Sequence, residues 1–373
     1  MRSIALVSGI IVLIIGIIVV VSRNEQSVIA PAQTANPSPT SPPSPSPTPT
    51  PLAEKVFLTN NYHIFQSFNN CGPAALSMAL SYYGINESQV TLGQALRPYQ
   101  VPGGDNDDKS VTLEELTEKS KEYGLVPFHR PAGSAEKIKQ FLAAGFPVVT
   151  RTLLHSNEDI GHYRVIKGYD DTTQEFIQDD SMQGKNLRYA YADYLTLWKP
   201  YNYEYLVLVP KEKKATVQQI LGKYLDEKVS WEHALTLARN EQTASDSFYP
   251  VLNEAVALYH LGQYDEATKR FEAIENRLPF RTLWYQIEPI LAYQKLKNYD
   301  RVFAITERIL NYHNRAFSEL YQMRGEVYLE REENVLAKQE FEKAVLYNKY
   351  YKPAKEALEN LSSLLSASDG SSK

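Results

Sequence analysis

The sequence predicts an α+β domain, with its helices first and antiparallel strands later, followed by an all-α array of helical hairpins and preceded by a membrane-spanning helix. Three observations carry this. Apolar spacing changes from the helical to the strand period near Phe146. Beyond residue 213, Tyr264, Ala267 and Phe271 recur in part at an interval of 35 residues, the sign of stacked repeats. Ile4 to Ser22 is an uncharged, mostly β-branched apolar run between Arg2 and Arg23. The boundaries read as 1–24 for the anchor, 25–54 for a Pro/Ser/Thr-rich linker, 55–212 for the α+β domain, 213–365 for the array and 366–373 for a disordered tail.

As a helix the apolar run spans roughly 28 Å, about one hydrocarbon core. The nearest small-x-small cleavage site, Ala30-Pro-Ala32, lies far along and follows Arg23 and Glu25. The segment therefore reads as an uncleaved signal anchor, with a removed signal as the alternative. Residues 36–51 are half proline and otherwise almost all Ser or Thr. Such a chain forms no core and adopts polyproline II, a stalk of up to roughly 50 Å. Anchor plus stalk put the bulk of the chain outside the cytoplasm, on a single-pass membrane helix.

The α+β domain is organised around Gln66-Ser-Phe-Asn-Asn-Cys71-Gly-Pro-Ala-Ala-Leu-Ser-Met-Ala-Leu-Ser-Tyr-Tyr-Gly84. Asn70 is the expected N-cap of a helix and Pro73 sits in its first turn, where a missing N–H costs nothing. Leu76, Leu80 and Tyr83 share one face, and Gly84 is the stop. Three aspartates in Pro102–Lys109 do not match an EF-hand spacing and read as a solvated loop. Thr112-Leu-Glu-Glu115 is a capping box for a second helix closed by Gly124. Ser134 caps a third, with Ile138, Phe141 and Leu142 on its buried side. Strands follow at Phe146–Leu154, His162–Tyr169, Glu175–Asp179 and Tyr203–Val209, with Asp170–Thr173 turning the second into the third.

In the array, Gly262-Gln-Tyr264-Asp-Glu-Ala267 with Phe271 and Pro279, and Ala255 before them, resembles the tetratricopeptide (TPR) repeat family. Tyr299 falls under Tyr264, and Ala337 and Phe341 under Ala267 and Phe271, with Gly325 and Tyr328 in the preceding helix. The middle copy departs, carrying Val302 and Thr306, and a weaker unit covers Leu221 to Asn240 with Ala234 in the small position. The resemblance implies a concave face that binds a protein partner.

Among 373 residues there is one cysteine, so no intrachain disulfide and no Cys-based zinc site is possible. The seven histidines are scattered, so no metal and no other cofactor is expected. A net charge of −5 without a basic block argues against a nucleic-acid partner. Cys71, at a helix N-terminus, feels the positive end of the dipole, which favours the thiolate. A cysteine nucleophile needs a base, a group to orient that base and donors for the oxyanion. His162 opens one strand, Asp180 ends the next, and Gln66 stands just before Cys71. A hairpin of those strands would bring His162 and Asp180 side by side at one sheet edge.

Gln-x-x-x-x-Cys-Gly-Pro-Ala-Ala, His-Tyr-x-Val-x-x-Gly-Tyr-Asp and Asp-Ser resemble the three motif blocks of the papain-like cysteine peptidases of family thirty-nine, the bacteriocin-leader peptidases and their stand-alone relatives. The resemblance implies Cys71 as nucleophile, His162 as general base and acid and Asp180 as the orienting residue. It also implies an oxyanion hole made of Gln66 and the Cys71 backbone N–H, and a peptide or protein substrate. The chain departs from the pattern at Asp180-Ser181, where the family usually has Asp-Pro, which leaves Asp179 as a rival. Gln66 lies one residue closer to the cysteine than is common, and there is no exporter, so double-glycine specificity does not carry over. His63 and His155 are the other histidines near these motifs. The expectation is a membrane-anchored cysteine peptidase. An inactive peptidase-like scaffold and an acyl transferase or transglutaminase on the same fold are the alternatives.

Overall fold

Among the described residues seven antiparallel strands make one sheet in the order β2 (Val126–Arg130), β7 (Tyr205–Val209), β3 (Val148–Leu153), β4 (Gly161–Asp170), β5 (Glu175–Asp180) and β6 (Gly184–Ala190), with β1 (Lys55–Phe57) paired to the far end of β4. The structure, a computed structural model, describes residues 51–100, 110–243, 247–311 and 314–370. The expected anchor, most of the stalk and the acidic loop lie outside the described residues. Among the described residues no helix is long and apolar enough to cross a membrane.

The expected strands form as β3 (Val148–Leu153), β4 (Gly161–Asp170), β5 (Glu175–Asp180) and β7 (Tyr205–Val209). Three more join them: β1 (Lys55–Phe57) and β2 (Val126–Arg130), which precede the last helix expected before the sheet, and β6 (Gly184–Ala190). The order of helices before strands is therefore only approximate.

The α1 helix (Cys71–Ser81) and the α3 helix (Leu113–Lys121) cover one face of the sheet. Leu76, Leu80 and Leu116 meet Val149, Tyr163, Val165, Leu206 and Leu208 there. The opposite face lies against α4 (Ala135–Ala143) and α5 (Tyr191–Trp198), where Phe141, Tyr194 and Trp198 pack on Ile166, Phe176 and Val207. Neighbours in sequence, Val165 and Ile166, thus serve different cores, as strand alternation requires. With both faces covered, every residue of β4 is buried.

The Thr112–Glu115 capping box and the Ser134 cap form as expected. Asn70 does not cap α1 with its side chain. It is engaged instead by Arg97, just after α2 (Gln89–Leu96), and by Ser67.

Beyond the sheet the chain is helical: α6 (Lys214–Leu221), α7 (Glu227–Gln242), α8 (Tyr249–His260), α9 (Tyr264–Glu272), α10 (Thr282–Tyr285), α11 (Glu288–Lys295), α12 (Tyr299–Asn311), α13 (Ser318–Glu330), α14 (Asn334–Tyr347) and α15 (Lys352–Gly370). The 35-residue interval coincides with helix starts, Tyr264 opening α9 and Tyr299 opening α12. Ala255, Ala267, Phe271, Ala337 and Phe341 are fully buried. Gly325 lets α13 approach α14, since a Cβ there would stand 2.4 Å from Phe341 Cε1. The last helix runs on to Gly370, past Ser366 where the sequence suggests a tail. No proline interrupts it, and an established helix extends cheaply. The sheet and the array fall in one compact unit that begins at Pro51.

Candidate active site

Cys71 is the first residue of α1 and is half-buried. His162 and Asp180 come from neighbouring strands, β4 and β5, whose register sets Arg164 opposite Asp180. Two residues before Arg164 in β4, His162 Nε2 donates to Asp180 Oδ1 at 2.8 Å, both side chains being buried. The pair lies at the strand ends but within the sheet, since β4 and β5 are both interior strands. That corrects the expected placement at a sheet edge.

Asp180 is held firmly. Its Oδ1 also accepts the N–H groups of Met182 at 2.7 Å and Gln183 at 2.9 Å, and Oδ2 lies 3.1 Å from Arg164 Nε. Burial alone would raise its pKa. The His162 hydrogen bond and charge, the Arg164 charge and the Gln183 N–H outweigh that and bring it down to about 2. An ionised carboxylate only accepts, so His162 Nε2 carries the proton and Nδ1 is left for Cys71. Burial pulls the His162 pKa down, but hydrogen bonds to Asp180 and Cys71, with their charges, lift it above the ordinary value. For Cys71 burial pushes up, while the His162 hydrogen bond and charge, the Arg97 charge and the Gly72 N–H bring the thiol below its usual range. Each group thus favours the ion pair of thiolate and imidazolium.

Asp179 points elsewhere. Its carboxylate meets buried Lys167 at 2.7 Å and accepts the Asn186 N–H at 2.9 Å. Strand alternation separates the two adjacent aspartates.

Gln66 is tied to Ser181, its backbone N–H donating to the Ser181 carbonyl at 2.8 Å. Ser181 Oγ donates to Gln66 Oε1 at 2.7 Å, which leaves Gln66 Nε2 as a free donor in that assignment of the amide. The serine that stands in place of the usual proline is therefore an anchor for the glutamine.

Residues 55–206 match the Peptidase_C39 like family. The antiparallel sheet with its covering helices fits a papain-like domain of that kind. Among solved structures, a protein described as a C39-like peptidase from Bacillus anthracis is 19% identical, covering 43% of this chain and 99% of its own, with a TM-score of 0.36. The peptidase domain of Streptococcus ComA, a bi-functional ABC transporter, is 19% identical over 40% of this chain and 97% of its own, with a TM-score of 0.32. Xylellain, a cysteine protease from Xylella fastidiosa, is 14% identical over 43% of this chain and 87% of its own, also with a TM-score of 0.32. No curated protein matches the chain.

Four further residues shape the C39-like site: Arg97, Arg164, His63 and Ser181. Arg97 Nη1 donates to Asn70 Oδ1 at 3.2 Å, beside Cys71, and no spacing reveals it. Arg164 was legible in principle, two residues from His162 in a strand and so on the same face. Its guanidinium donates to the Leu153 carbonyl at 2.8 Å, the Leu154 carbonyl at 2.9 Å and the Thr152 hydroxyl. His63 Nε2 lies 2.9 Å from the Asp180 carbonyl oxygen, so it braces the backbone of the orienting carboxylate. Ser181 shows in the sequence only as a departure. If Gln66 is the oxyanion donor that the resemblance implies, Ser181→Ala should leave the domain folded and lower kcat about tenfold with little change in KM, because that donor's contact is made only in the transition state. Steady-state kinetics on any cleaved peptide reads this out.

Proposed function

We propose that this chain is a cysteine peptidase, held outside the cytoplasm by its N-terminal helix, whose helical array recruits a protein partner or substrate. The observation that carries the reading is the buried relay in which Asp180, ionised and fixed by two backbone N–H groups, holds His162 against Cys71 at a helix start. Cys71 Sγ attacks the peptide carbonyl carbon while the Cys71 N–H and Gln66 Nε2 take the oxyanion. His162 then protonates the departing amine, leaving a thioester. Water, deprotonated by His162, hydrolyses that thioester and restores the thiolate.

The membrane placement rests on the apolar run of residues 4–22 and the proline-rich stretch after it. Recruitment by a tetratricopeptide-like array rests on the 35-residue interval and the buried small and aromatic positions, among them Gly325 against Phe341.

The test uses iodoacetamide across pH on the full-length chain, in which Cys71 is the one thiol to label. Cys71 lies low and His162 high, so the reactive ion pair should already exist below the free-thiol pKa of about 8.5. His162→Ala should move labelling up towards that value. Ordinary thiol behaviour in the unaltered chain would sink the reading.

A further inference from the structure

The helical array contacts segments that flank both members of the Cys71–His162 pair. On the histidine side, the connection from β3 to β4 leads directly into Gly161 and His162, and the Leu154 N–H to Ile160 carbonyl bond closes it. Three ties bind this stretch to the segment around α10. Asp159 accepts the Arg281 N–H at 3.0 Å and the Arg281 guanidinium at 2.8 Å. Arg151 in β3 donates to the Tyr285 carbonyl at 3.0 Å, and its guanidinium lies 4.7 Å from the Tyr201 ring centre and 5.1 Å from that of Tyr285. The third tie is the packing of the Tyr285 ring against Gly161. A Cβ on Gly161 would stand 2.8 Å from Tyr201 Oη and 3.2 Å from Tyr285 Cε1, so the two rings leave no slack.

On the cysteine side, Tyr347 of α14 meets Tyr99 edge to face, ring centres 4.9 Å apart. Tyr99 stands two residues from Arg97, which holds Asn70 next to Cys71. From the sheet side His162 is fixed by Asp180, which in turn is paired with Arg164. From the array side, the contact nearest in sequence to the imidazole is Tyr285 on Gly161.

We propose that Tyr285 is a positioning residue for His162: the helical array completes the C39-like site by pinning the strand end that presents the imidazole to Cys71. This rests on the peptidase reading above. It adds that the α+β domain is not self-sufficient, and that an event on the array which moves α10 changes the alignment of the pair. Small misplacements of reacting groups cost up to about a hundredfold in rate.

The experiment is the pH profile of iodoacetamide labelling of Cys71 in the full-length chain, beside Tyr285→Ala and Tyr285→Phe, with circular dichroism and thermal unfolding on each. Tyr285→Ala should raise the labelling pKa towards that of His162→Ala and cut labelling at pH 6 by about tenfold. Tyr285→Phe keeps the ring between Arg151 and Gly161 and should hold the profile close to that of the unaltered chain. A folded Tyr285→Ala protein with the unaltered profile overturns the proposal. If that variant fails to fold, Tyr285→Leu, which keeps bulk without the ring, takes its place, and an unmoved profile there overturns the proposal instead. A merely structural role lowers the unfolding temperature and leaves the profile in place. Failure of the peptidase reading is distinct, because it shows as an ordinary thiol in the unaltered chain.

Discussion

Cys71→Ala should abolish peptide hydrolysis, lowering turnover by about 10⁴-fold or more while leaving the fold intact. The size follows from what the substitution removes. Without the sulfur there is no covalent step, and what remains is binding and an oxyanion hole around a water. The fold survives because the side chain is small and half-buried, at the first position of α1, whose neighbours from Gly72 to Leu80 make the packing. Cys71 also spends much of its local field on reactivity: burial opposes ionisation, and only His162, Arg97 and the Gly72 N–H reverse that balance. Deleting the thiol therefore relieves a cost rather than removing a support. The measurement is mass spectrometry of a peptide mixture incubated with either protein, with thermal midpoints compared in parallel. Cleavage that persists unchanged in Cys71→Ala would end the assignment.

What the sequence made legible was whatever is buried on a regular period. The α1 helix, the capped α3 and α4 helices, and the interior strands β3, β4, β5 and β7 all announce themselves through apolar spacing or caps. The sheet edges do not. The strand β2 carries Pro127, which reads against a strand, yet it is tolerated because, among the described residues, β2 is an edge strand paired with β7 alone. At the other edge β6 alternates intermediate and exposed residues, so Gly-Lys-Asn-Leu-Arg-Tyr-Ala shows no apolar stripe. The three residues of β1 are too few to show a period.

In the candidate site the same division holds. Strand spacing led from His162 to Asp180, but it could not decide between Asp180 and Asp179, because adjacent residues differ only in which face they take. The hydrogen bonds of the folded chain separate them, His162 for one and Lys167 for the other. Arg97 and Tyr285 were out of reach for another reason. They arrive from segments 26 and 123 residues away from Cys71 and His162 respectively, through packing that no local pattern records.

Asp180→Asn should cost both activity and stability, and the two losses have different causes. An asparagine Oδ1 can still accept from Met182, Gln183 and His162, so the geometry is nearly retained. The charge is not, and the imidazolium that forms when Cys71 gives up its proton loses its stabilising partner. A comparable loss in a histidine relay lowers kcat by about 10⁴-fold. The stability loss comes from Arg164. Its guanidinium is fully buried, and with Asp180 neutral the carbonyls of Leu153 and Leu154, the Thr152 hydroxyl and the Tyr189 ring remain to it, none of them an anion. An uncompensated buried charge of this kind costs about 3–5 kcal/mol. The acid limb of stability should change too. Asp180 is held at about 2 in the fold, below its unfolded value, so its contribution is present above an unfolded pKa of about 3.9 and is lost as pH falls through about 2. In Asp180→Asn that part of the acid dependence disappears. Asp179→Asn is the control. It breaks the buried pair with Lys167 and should destabilise the fold, yet leave the Cys71 labelling profile where it was. If Asp179→Asn shifted the profile and Asp180→Asn did not, the orienting role would pass to the other carboxylate.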